Sequence, residues 1–164
     1  MKRCSREKRA FTLVEILIVL LLLGILAGAM MLVSFSATSK AEATRIVEDM
    51  RSMKCAATFF FADYGRWPVW MKTGPSTISE IHGGQGPEKY LEKMPIGPQY
   101  WVGIASNSES VAVMLDASSL GPLVKQRLQA MFPGIPLYGS STSGDFGETP
   151  YTTEDYALWY IKKN

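Results

Sequence analysis

Lys8-Arg9-Ala10-Phe11-Thr12-Leu13-Val14-Glu15 runs straight into the apolar tract Ile16–Val33. A short basic leader meets a long hydrocarbon-like run, and one carboxylate sits just inside the junction. The eighteen residues 16–33 carry no charged and no hydrogen-bonding side chain. With Phe11 to Val14 added, the run is long enough to cross a bilayer as a helix. A carboxylate at the edge of a hydrocarbon core costs a few kcal/mol on insertion scales, so Glu15 implies a function and a partner.

The same residues carry a family resemblance. Phe-Thr-Leu-Val-Glu after a Lys/Arg-rich leader resembles the start of type IV prepilins and type II secretion pseudopilins. The resemblance implies that a membrane peptidase cuts the Ala10–Phe11 bond and methylates the new amine of Phe11. Glu15 then becomes the fifth residue of the mature chain. Two positions depart from the family pattern. Ala10 stands where Gly is usual, which still gives a small residue before the cut but predicts slower processing. Leu32 stands where many members have Pro, so the loosened helical segment that Pro permits is not expected.

An acid at position 15 has a physical rationale within this reading. Cleavage exposes an α-amine, with an ordinary pKa of ~7.7–8.0, that is largely protonated near neutral pH. Opposite charges attract strongly in a low dielectric, and each alone is costly to bury. The expectation is that Glu15 of one subunit neutralises the Phe11 amine of a neighbour and sets the axial register of a helical fibre.

Two other readings of the stretch stay open. Met1–Glu15, Ile16–Leu26 and Ala27-Gly28-Ala29 could be the three regions of a secretory signal peptide, leaving a soluble secreted protein. Against that, apolar sequence continues through Met30-Met31-Leu32-Val33, and an acid abuts the apolar region where a signal peptide favours positive charge. A plain uncleaved single-span anchor is the other.

Length and charge bound the rest. At 164 residues the chain holds one domain plus a membrane segment. The formal charge of +2 is dominated by the leader, where Lys2, Arg3, Arg6, Lys8 and Arg9 face only Glu7. Without residues 1–10 the chain has 12 basic and 14 acidic groups. No basic patch then argues for nucleic acid as a partner. The leader's charges place the N-terminus in the cytoplasm and the C-terminal domain outside. Cys4 lies in the leader, so Cys55 has no intramolecular partner after cleavage, and it reads as a small packing residue. Many type IV pilins close a C-terminal loop with a disulfide and type II pseudopilins generally do not, so the resemblance leans to the latter.

Past the apolar tract, Ile46, Met50, Met53, Ala57, Phe60 and Tyr64 recur at spacings of four and three, a stripe along one helix face. Arg45 and Asp49 stand at i,i+4 on another face. One helix over Phe11–Asp63 would span about 80 Å, and Gly65 and Pro68 end it. Gly24 and Gly28 form a small-xxx-small pair that allows close helix contact or is simply ordinary membrane-helix composition. Asp63, Gly65-Arg66, Trp67 and Pro68 resemble the turn that follows the first helix of major pseudopilins. Tyr90–Pro95, with Pro98 and Tyr100, resembles their next stretch, a short helix leading into the sheet. That second resemblance departs at Ile96-Gly97-Pro98-Gln99 and fades beyond about residue 105.

Lys72–Pro87 reads as loop, with a helical turn around Ile78–Ile81 and a solvated His82 that carries no chemistry. Strands are expected over Tyr100–Ala105, Val111–Asp116 and Tyr156–Ile161, the last covered on both faces. Ser119–Met131 reads as a helix with Ser119 as N-cap and Leu120, Leu123, Val124, Leu128 and Met131 as its apolar face. Gly139–Glu148 reads as an exposed loop. Major pseudopilins bind calcium in a C-terminal loop, and Asp145, Glu148 and Asp155 (with its neighbour Glu154) are weak candidates here, without the ligand spacing of an EF-hand. No other metal and no cofactor is expected.

These readings converge on an α+β chain with a pilin-like plan: a leader over 1–10, a transmembrane and assembly helix over 11–35, and a periplasmic domain over 36–164. In that domain the second half of the long helix packs on a small antiparallel sheet. The resemblance implies a structural subunit and not an enzyme, held in the bacterial inner membrane before assembly into a pilus or pseudopilus. Its partners would be the prepilin peptidase, other subunits of the filament, the inner-membrane assembly platform and membrane lipid. Alternatives are a minor tip subunit whose loops 72–99 and 139–155 bind a surface, DNA or cargo, and a membrane-anchored periplasmic enzyme.

Overall fold

The structure is a computed structural model that describes residues 11–72, 78–83, 85–95, 97–105, 110–132 and 134–163. The leader 1–10, with Ala10 and Cys4, lies outside the described residues, as do Gly74-Pro75, Gly84, Ile96 and Pro133. The elements in order are α1 (Leu13–Tyr64), β1 (Trp70–Lys72), β2 (Ile78–Glu80), a 3-10 turn (Pro87–Lys89), β3 (Tyr100–Ile104), β4 (Val111–Asp116), α2 (Pro122–Met131), β5 (Leu137–Ser140) and β6 (Tyr156–Lys162). The chain divides into two compact units, Met1–Thr38 and Ser39–Asn164.

In the first unit the described side chains from Phe11 to Met31 are all exposed. This stretch of α1 is long and apolar enough to cross a membrane.

The second unit has its own core, and the helix stripe read from the sequence builds it. Ile46, Met50, Met53, Ala57 and Phe60 are buried, joined by Ala43, Val47 and Ala56. The added alanines widen the stripe and let the helix lie close to the sheet. Tyr64 leaves the stripe at 42 % exposure and stacks on Phe60 with centroids 4.5 Å apart. The helix then ends as expected: Gly65 takes φ +67°, and its N–H donates to the Phe61 carbonyl at 2.8 Å.

The sheet has six strands in the order β2-β1-β3-β4-β6-β5, every neighbouring pair antiparallel. Its inner face meets α1 through Tyr100, Val102, Val113, Leu115, Ala157 and Trp159. Its outer face holds a second, smaller apolar layer of Ala112, Met114 and Leu158, roofed by Trp101, Tyr138, Phe146 and Tyr160. Both faces of β6 are therefore covered, as its unbroken apolar run implies.

Several expectations are corrected. Ile78–Glu80 is a strand, not a helical turn, because it pairs with Trp70–Lys72 and its Glu80 carboxylate accepts the Val69 N–H at 3.0 Å. The short helix expected over Tyr90–Pro95 is instead the 3-10 turn Pro87–Lys89, started by a proline whose missing N–H is no loss there. Helix α2 begins at Pro122 with Gly121 as N-cap, not at Ser119. The preceding residues are held differently: the Asp116 carboxylate accepts the Ser118 N–H at 2.9 Å and so forms a local turn. Leu123 is 52 % exposed, so the buried face of α2 is Val124 and Leu128. Gly139 and Ser140 belong to β5, and the loop after them turns back over the sheet through Phe146. Cys55 is an exposed free thiol, not a packing residue.

Candidate assembly site at the helix N-terminus

Thr12 and Glu15 form a reciprocal cap at the start of α1. The Thr12 N–H donates to Glu15 Oε2 at 2.9 Å, and the Thr12 hydroxyl donates to the same oxygen at 2.8 Å. In return the Glu15 N–H donates to Thr12 Oγ1 at 3.2 Å. This is the Ser/Thr-x-x-Glu capping box, which satisfies helix N–H groups that have no partner of their own. The negative carboxylate also lies at the positive end of the helix dipole. The pattern Thr12-x-x-Glu15 was legible in the sequence.

The cap occupies Oε2. Oε1 takes no hydrogen bond among the described residues, so the carboxylate retains an oxygen for a cation. Phe11, 82 % exposed, lies beside it with Leu13 and Val14. The arrangement can hold a helix start in register and receive one positive charge.

The calcium candidates are dispersed. Asp145 and Glu148 are exposed, and Asp155 pairs with Lys125 Nζ at 3.0 Å. The Glu154 carboxylate is taken by the Thr152 N–H and hydroxyl, both at 2.7 Å. Burial raises the Glu154 pKa, but the Thr152 bonds outweigh it and leave the group below its ordinary value. Among the described residues no three His, Cys, Asp or Glu side chains gather as a metal site. His82 is exposed.

Residues 5–31 match the family described as the prokaryotic N-terminal methylation motif. Over 98 residues the chain is 28 % identical to the type II secretion system core protein G of Klebsiella pneumoniae, covering 57 % of this chain and 70 % of that protein. Over 90 residues it is 29 % identical to a fimbrial protein of Neisseria meningitidis, covering 54 % of this chain but only half of that protein. The structure of the major type IV pilin PilA1 of Clostridium difficile superposes with a TM-score of 0.53 at 20 % identity, over 78 % of this chain and 99 % of that one. The chain carries a prepilin-type N-terminal motif and has a pilin-like fold. The pilin fold explains why the second unit keeps a complete core of its own while the start of α1 has none. The capping box falls within the matched motif.

Proposed function

We infer that this chain is a structural subunit of a type IV pilus or a type II secretion pseudopilus. It is cut between Ala10 and Phe11, methylated on the Phe11 amine, and drawn from the inner membrane into a helical filament. The basic leader holds the N-terminus in the cytoplasm, and the domain from Ser39 onward stands outside. Glu15 receives the amine of a neighbouring Phe11 through the oxygen that the cap leaves open. The role is structural rather than catalytic, and the peptidase, sister subunits and the membrane assembly platform are its partners.

One observation carries this reading. A carboxylate-capped helix start leads into an exposed apolar stretch, and the residues that follow in the chain build a core without it. Lipid covers that stretch before assembly, and other subunits must cover it afterwards, because water would not. Mass spectrometry of the mature protein tests the reading. A chain starting at N-methylated Phe11 supports it. A chain starting at Met30 gives the protein to secretion, and one that keeps Met1–Ala10 at work removes the filament role.

A further inference from the structure

The outer face of the sheet carries a hollow of about 420 Å³. Its walls come from neighbouring strands in register. Asp116 on β4 stands opposite Tyr156 on β6, and Trp101 on β3 stands opposite Met114, two residues before Asp116. Side chains two apart on a strand share a face, so Trp101, Asp116 and Tyr156 converge. The Trp101 and Tyr156 rings lie with centroids 5.9 Å apart and planes at 66°. Met71, Gln99, Ser143 and Gly144 complete the rim.

We propose that this hollow binds a quaternary ammonium group of the choline type. Two aromatic rings that meet at a steep angle form a corner, and a cation within about 6 Å of both centroids is attracted to both quadrupoles. Among the described residues Asp116 is the only charged side chain lining the hollow, and it is negative. That selects a cation and works against phosphate or nucleic acid.

The hydrogen-bond inventory selects the kind of cation. The Trp101 indole N–H is turned down onto Met114 Sδ at 2.8 Å. Asp116 Oδ1 already accepts the Ser118 N–H and hydroxyl. A primary ammonium has three donors to satisfy, and the two ring faces offer it no oxygen acceptor. A quaternary ammonium has none, so it loses nothing on entering an aromatic corner closed by one carboxylate.

The test titrates choline against the full chain in a polyoxyethylene detergent, which offers neither choline nor sugar, with binding read by saturation-transfer NMR. 3,3-Dimethylbutan-1-ol, which has the same shape and no charge, is titrated in parallel. The site predicts saturable choline binding about tenfold tighter than the alcohol. Asp116→Asn keeps the Oδ1 acceptor for Ser118 and should weaken choline about three- to tenfold while leaving the alcohol unchanged. Tyr156→Leu should weaken choline to a similar degree, and a folded Trp101→Leu more. Equal affinity for choline and the alcohol overturns the proposal, as does choline binding unaffected by Asp116→Asn, or no saturation by either probe. Preferential binding of maltose over choline would also overturn it and hand the hollow to sugars.

Discussion

The Glu80 carboxylate accepts the Arg66 guanidinium at 3.1 Å with only 1 % of the Glu80 side chain exposed. Glu80 also accepts the Val69 N–H at 3.0 Å, and Arg66 donates its other nitrogen to the Gly83 carbonyl. The pair thus ties the residues just past α1 to strand β2, across a stretch that sequence alone reads as loop. Glu80→Gln puts an amide N–H₂ against one of two donors. The expected loss is about 1–3 kcal/mol, less than the roughly 3–5 for a fully buried pair, because Arg66 is 39 % exposed and rehydrates. Thermal unfolding of the chain in detergent measures the loss. Arg66→Lys keeps the charge and should lose less.

Asp49 and Tyr100 give the domain a pH dependence opposite in sign to the usual carboxylate. Burial raises the Asp49 pKa above its ordinary 3.8, against the opposing pull of the Tyr100 hydroxyl at 3.2 Å and of Arg45. Burial and the same carboxylate push the Tyr100 phenol upward. Because the native state holds the Asp49 proton more tightly than the unfolded chain, this contribution is full below the unfolded pKa. It is lost as pH rises through the native one. Asp49→Asn keeps an acceptor for Tyr100 and cannot ionise. Relative to the parent it should therefore gain stability between about pH 3.5 and about pH 7. Melting temperatures of both proteins at those two pH values decide it, and a gap that does not widen with pH excludes the effect. Asp63 works the other way: its bonds from Lys89 at 2.9 Å and Tyr90 at 2.8 Å lower its pKa, and that support is lost in acid.

The legible parts of this chain were those that carry their own local signal. Strands β3, β4 and β6 are aromatic or β-branched runs between turn residues, and the α1 stripe repeats often enough to outweigh local propensity. Strands β1, β2 and β5 are three or four residues long and hold Lys, Ser and Gly. The pairing of β1 and β5 is decided by β3 and β6 beside them, which a local window does not contain, and β2 in turn pairs with β1. Phe146 was hidden in a Ser/Gly-rich loop, although it roofs the outer apolar layer. At the site, the cleavage position and Glu15 stood out because a basic leader and an apolar tract frame them. The aromatic corner of Trp101 and Tyr156 joins residues 55 apart and needed the register of three strands.

Under the proposed assembly role Glu15 has two separable duties. Glutamine also closes a capping box, so Glu15→Gln should keep the helix start intact and remove only the charge. Glu15→Ala removes both. If the open oxygen of Glu15 receives a neighbour's amine, both variants fail to form filaments by electron microscopy while still being cut at Ala10. Normal filaments from Glu15→Gln would reduce the residue to a cap.

Chelation should leave the domain unchanged. Asp155 is committed to Lys125, Glu154 to Thr152, and Asp145 and Glu148 are exposed on the loop that follows β5. A stable calcium site gathers six to eight oxygens around the ion. Excess EGTA is therefore expected to shift the melting temperature by less than about 1 °C, since a ligand at concentration L stabilises by RT ln(1 + L/Kd), which vanishes where none binds. A larger drop that added calcium restores would assign these carboxylates a ligand role.

Gly147 is where the loop after β5 closes on the sheet. A Cβ there would overlap the Gly139 carbonyl, a backbone atom of β5 that cannot swing aside. The Gly147 carbonyl meanwhile accepts the Tyr160 hydroxyl at 3.0 Å, and Phe146 next to it packs with its ring 5.9 Å from that of Tyr160. Gly147→Ala must lift the loop, lose that hydrogen bond and uncover Met114 and Leu158 together, a loss of about 2–4 kcal/mol. Gly144→Ala, at φ +79° with open space around it, carries only the left-handed backbone penalty of about 1 kcal/mol. Thermal unfolding of the two variants should therefore rank Gly147→Ala well below Gly144→Ala. Tyr160→Phe, which deletes the hydroxyl alone, should fall between the parent and Gly147→Ala. Equal stability of the two glycine variants would mean that the loop does not rest on the sheet.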